Sequence, residues 1–76
     1  MNNTNKEILI KFANYRMPFG KYAGKLLREI PEEYYLWFKN KGFPKGELGN
    51  FMTMMLEMKV NGLESLLDPL INPNNH

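Results

Sequence analysis

Cysteine is absent from the 76 residues, and histidine occurs once, as the final residue His76. The first absence excludes disulfides, thiolate metal sites, c-type haem attachment and a cysteine nucleophile. The second leaves nothing to anchor a buried catalytic triad or a two-histidine metal site. No apolar run approaches the ~20 residues that span a bilayer. The opening stretch, MNNTNKEILIKF, has neither the apolar core nor the small-residue cleavage site of a secretory leader. A small chain without disulfides or export signal is expected in the cytoplasm, away from membranes. Its size excludes more: a chain this short buries about 60% of its unfolded surface, enough for one small core but not for a deep active-site cleft. A single domain over residues 1–76 is therefore expected, with the asparagine-rich ends 1–4 and 72–76 frayed.

What is present fits a folded domain, with 43% hydrophobic and 13% aromatic residues. The net charge is only +2, but it is unevenly spread. Residues 1–28 carry six cations (Lys6, Lys11, Arg16, Lys21, Lys25, Arg28) against Glu7 alone, a balance of +5. Residues 29–76 carry four cations against seven carboxylates, a balance of −3. Such asymmetry predicts a basic face that attracts polyanions, unless folding interleaves the two halves.

Apolar spacing at Ile8, Leu9, Phe12 and Ala13 predicts a first helix over 5–14, with Thr4 or Asn5 as its cap. The segment Met17-Pro18-Phe19-Gly20-Lys21-Tyr22-Ala23-Gly24 breaks it, since no stable helix interior accepts one proline and two glycines so close together. Its flanks, Arg16–Phe19 and Lys25–Leu27, are expected to pair as a short hairpin. Pro31, Glu32 and Glu33 then mark a helix start that Gly42 ends, with Tyr34, Trp37 and Phe38 as an aromatic core stripe and Tyr35 on an exposed face. From Lys45 a longer helix presents Leu48, Phe51, Met52, Met55 and Leu56 on one side, and Asn61-Gly62 stops it. Leu63, Leu66, Leu67 and Leu70 predict one more short turn or helix. The expected architecture is α+β: a short β-hairpin packed against three to four short helices. Its expected core is Phe12, Leu27, Ile30, Tyr34, Trp37, Phe38, Leu48, Phe51, Met52, Met55 and Leu66.

The run Met17 to Lys25, followed by Leu27, Ile30-Pro31, Tyr34 and Trp37-Phe38, resembles a recurring bacterial module of the pattern M-P-F-G-K-Y-x-G. The module looks like the C-terminal domain carried by exodeoxyribonuclease X-like and DNA polymerase III epsilon-like exonucleases. Over nearly its whole length, including Lys41 to Gly49 and Asn61-Gly62-Leu63, the chain is similar to a stand-alone family labelled putative quorum-sensing-regulated virulence factors. Ala23 departs from the pattern, which commonly has lysine there, so any basic patch is weaker by one charge.

Two functional readings stay open. In the first, Arg16, Lys21, Tyr22, Lys25 and Arg28 bind DNA or RNA. No acid interrupts this stretch; cations neutralise phosphates and aromatic faces stack on unpaired bases, while Gly20 and Gly24 permit backbone amides to cradle a phosphate. The exonuclease resemblance implies the same. The plainer reading is that Phe19 and Tyr22 pin the hairpin and the lysines are only solvated. In the second, Met54 and Met58, four apart on a helix flank, seat a partner protein or another copy of the chain. The glycines lack the spacing and terminal Ser or Thr of a phosphate-binding loop. Glu32 and Glu33, about 100° apart on a helix, are placed to stabilise its start and not to share a substrate. No catalytic residue, metal or cofactor is expected, and the chain is read as non-enzymatic.

Overall fold

A computed structural model describes residues 3–72, in which three α-helices and two 3-10 helices follow one another. Helix α1 (Asn3–Ala13) starts before the cap expected at Thr4 or Asn5. Of the expected frayed ends, residues 1–2 and 73–76 lie outside the described residues. Asn72 is tied down: its N–H donates to Asn14 Oδ1 at 2.8 Å, and Asn14 Nδ2 donates to the Leu70 carbonyl at 2.9 Å.

The expected α+β architecture is overturned, because no strand forms among the described residues. Arg16 and Leu26 make a single antiparallel rung, bounded by Met17 N–H to Lys25 O (2.8 Å), Gly24 N–H to Met17 O (2.8 Å) and Leu27 N–H to Tyr15 O (3.1 Å). The ladder cannot grow in either direction. Toward the tip, the Lys25 N–H that would return a bond to Met17 O is taken by the Tyr22 carbonyl, and Gly24 N–H goes to Met17 O in its place. Beyond Leu26 the chain winds into a 3-10 helix, Leu27–Glu29, whose start is held by Glu29 Oε1 accepting the Leu26 N–H. The segment 16–26 is thus a pinched loop, with Gly20 and Gly24 at φ +80° and +87° supplying the reversals that residues bearing a Cβ rarely adopt.

Helix α2 (Glu32–Lys41) follows Pro31 and ends at Gly42, whose φ of +98° and N–H bonds to the Phe38 and Lys39 carbonyls close the last turn. Helix α3 (Glu47–Val60) packs across α2, and α1 lies against the second 3-10 helix (Glu64–Leu70). Phe12, Leu27, Ile30, Phe51, Met52 and Met55 are buried as expected, joined by Met17, Leu26, Leu56 and Leu67.

Two parts of the expected core are displaced, each for a geometric reason. In α2 the fully buried ring is Tyr35, at 0% exposure, not Trp37, at 54%. At ~100° per residue these two positions lie on nearly opposite sides of the helix, so only one of them faces the core. Tyr34 and Phe38, between them, are half-buried. Burial of Tyr35 is possible because its hydroxyl donates to the Leu27 carbonyl at 2.8 Å. In the C-terminal segment Leu66 is 64% exposed and Leu67 is buried. A 3-10 helix eclipses positions i and i+3. The inward line is therefore Leu67 with Leu70, and Leu66 falls on an outer one.

Candidate nucleic-acid interface

Every side chain of the basic segment starts from the pinched loop or its exit. Arg16 folds back across it, its guanidinium donating to the Gly24 carbonyl at 2.7 Å. Lys21 and Lys25 are exposed at the tip and at the return. None of these three cations pairs with a carboxylate among the described residues. Arg28 is different. It leaves the loop in the first 3-10 helix and grips Asp68 through two bonds, Nε to Oδ1 at 2.6 Å and Nη2 to Oδ2 at 3.1 Å. Those bonds hold the Asp68 carboxyl below the usual carboxylate range and raise the Arg28 guanidinium above its own. The expected five-residue patch therefore divides: Arg16, Lys21, Tyr22 and Lys25 share one loop, while Arg28 fastens the C-terminal segment.

Three backbone amides at the return of the loop are committed to its own carbonyls. Ala23 N–H is bonded to Gly20 O, Gly24 N–H to Met17 O and Lys25 N–H to Tyr22 O.

Aromatic rings extend the loop surface onto α2. Tyr22 meets Tyr34 edge-on, with ring centres 4.9 Å apart, and Phe19 reaches Phe38 at 6.3 Å. Tyr34 in turn lies 6.0 Å from Trp37 with only 29° between the ring planes. The Lys21 ammonium sits 5.5 Å from the centre of Tyr22, and the Lys41 ammonium 5.6 Å from the centre of Trp37. Such exposed cation–ring contacts contribute only about 0.5–1 kcal/mol each, so both lysines are free to leave for a stronger partner. A cleft of about 290 Å³ lies beside Tyr22, lined by Lys21, Pro31, Glu33 and Tyr34. Glu33 is the one acid in it.

Trp37 and Lys41 were not among the site residues that sequence reasoning singles out. The signal that finds them is the polarity of α2: Glu32, Glu33, Lys39, Asn40 and Lys41 leave it only a narrow buried side. A tryptophan outside that side, four residues before a lysine, is a surface residue.

The other candidate pair, Met54 and Met58, opens on a second depression of about 290 Å³ formed by α1, α3 and the C-terminal segment, with Leu9, Phe12, Glu57, Asn61, Leu63 and Leu67. Met54 is exposed, whereas Met58 is half-buried against the core. Among the described residues no group of three or more potential metal ligands comes together. None of their helices is long and apolar enough to cross a membrane.

A helical domain with a pinched basic loop against an aromatic helix is thus the class that the structure defines. By sequence the chain belongs to the family described as "putative quorum-sensing-regulated virulence factor", whose model matches residues 5–70. It is 52% identical over 69 residues to the uncharacterized protein YpeB of Escherichia coli K12, an alignment covering 90% of this chain and 96% of that one. The YpeB protein of Escherichia coli O157:H7 matches with the same identity and coverage. No solved structure matches the chain.

Proposed function

We propose that the protein is a non-catalytic cytoplasmic accessory module that binds nucleic acid, DNA or RNA, through Arg16, Lys21, Tyr22 and Lys25. One observation carries this reading: three cations without carboxylate partners share a single loop that abuts partly exposed aromatic rings. Free cations neutralise phosphates and release counterions, and ring faces accept bases. The resemblance of Met17 to Lys25 to a domain that accompanies exonucleases supports the same reading. Arg28, committed to Asp68, is left out of the contact set.

The test is titration into a fluorescent oligonucleotide at low and high salt, with the wild type beside the double variant Lys21→Ala/Lys25→Ala. Wild-type binding that falls steeply with salt, and a folded double variant at least ~10-fold weaker at low salt, is the expected result. Unchanged binding by the double variant would show the patch to be misplaced. A second reading rests on the apolar depression around Met54 and Met58, where a protein partner or another copy would dock, in the quorum-sensing or virulence regulation that the family description names. Salt-insensitive self-association in sedimentation experiments would favour it.

A further inference from the structure

Resting on the nucleic-acid reading, we infer that the ligand is single-stranded and that an unpaired base stacks on the indole of Trp37. Three features of the surface point there. Tyr22, Tyr34 and Trp37 form a continuous series of rings running from the loop along α2, with centres stepping by 4.9 and 6.0 Å. The last two rings are nearly parallel, at 29°, and the outermost, Trp37, is more than half exposed. A base laid on Trp37 prolongs an arrangement already begun.

Cations stand at both ends of the series, Lys21 at Tyr22 and Lys41 at Trp37. Stacking of a base on an aromatic face is worth more than an exposed cation–ring contact. A base therefore displaces Lys41 from the indole, and the released ammonium is left beside a strand whose phosphates it can neutralise. Glu33 sets the orientation. Its carboxylate, on a side chain lining the cleft with Lys21 and Tyr34, repels phosphate and suits an N–H donor on a base edge, such as the N3–H of thymine. The backbone then follows Lys21 and Lys25 while the bases turn toward α2. A duplex offers no such face, because its bases are stacked inside and paired.

Trp37 is the only tryptophan, so its emission reports directly on this contact. The experiment titrates the full chain with oligothymidylate of about 16 nucleotides, the upper end of small single-strand sites, and separately with a duplex of similar length. Anisotropy of a labelled strand is followed alongside tryptophan fluorescence. Single strand is expected to bind more tightly than duplex and to quench Trp37. Trp37→Leu, at an exposed position and with an unchanged thermal melt, is expected to weaken single-strand binding roughly 5- to 150-fold, the factor for one lost stacked base. Trp37→Phe should recover part of that loss and duplex binding should not move. Equal binding of both forms to wild type and Trp37→Leu, without quenching, overturns the inference and leaves the nucleic-acid reading standing. Binding of neither form, even at low salt, overturns both.

Discussion

Tyr35 shows how much one hydroxyl governs in a core this small. Its ring is fully buried, and its O–H donates to the Leu27 carbonyl, tying α2 to the first 3-10 helix. Burial is the main reason its phenol is pushed well above the ordinary tyrosine range, with the neighbouring Tyr34 adding to it. The raised value fixes the sign of the pH dependence. The unfolded chain releases this proton near the ordinary value of about 10, whereas the folded chain keeps it. Its stabilising contribution is thus complete below about pH 10 and is lost above it at about 1.4 kcal/mol per pH unit. Tyr35→Phe removes one of two hydrogen bonds to the Leu27 carbonyl, which keeps the Ile30 N–H at 3.2 Å, and we expect a cost of about 1 kcal/mol at pH 8. The gap between wild type and variant should narrow by pH 11, because phenylalanine has no proton to lose. Urea midpoints at both pH values measure this. A gap of constant size would mean that the phenol is not desolvated in the folded protein.

At the scale of elements, the join between α2 and α3 is tightly packed at Gly49. Gly49 lies in the first turn of α3 against the backbone of Pro44. A methyl group there would overlap the Pro44 carbonyl oxygen and stand 2.9 Å from its carbon. Backbone does not yield as a flexible side chain does, so Gly49→Ala is expected to cost at least about 3 kcal/mol. For a chain of this length, with a total stability of roughly 4–11 kcal/mol, that is a large fraction. Thermal unfolding followed by circular dichroism would register it, and a drop of only a degree or two would show that the start of α3 can shift away. The helices themselves were legible in the sequence, since Pro31, Gly42 and Asn61-Gly62 act through backbone chemistry that is independent of tertiary context. The hairpin was not. Two extended flanks around a glycine-rich turn predict pairing, but the turn bonds of Gly24 and Lys25 and the onset of the 3-10 helix decide how many rungs survive. Nor does i, i+3, i+4 spacing choose between Tyr34 and Tyr35. The largest rings mark the more apolar side of α2, whereas the core took the ring whose hydroxyl found a carbonyl.

Across the whole molecule, the charge asymmetry of the sequence is partly cancelled by folding. Lys11 reaches Glu47 at 2.9 Å and Arg28 grips Asp68, so two of the six cations of residues 1–28 meet carboxylates from the second half. The basic loop was therefore readable as a segment, but its membership was not. Arg28 lies three residues past Lys25 in the chain and 40 residues before the acid that claims it. Lys41, distant in sequence, instead comes to the ring surface that the loop adjoins. If the proposed nucleic-acid binding uses Arg16, Lys21, Lys25 and Lys41, it has a definite salt dependence. Each cation on a single strand contributes about −0.7 to the slope of log K against log salt, so four give about −2.8. Between 50 and 200 mM salt, affinity should fall roughly 50-fold. Lys21→Ala/Lys25→Ala removes two of the four, which halves the slope to about −1.4 and reduces that loss to roughly 7-fold. Weaker binding with an unaltered slope would mean that the two lysines shape the loop and do not touch phosphate.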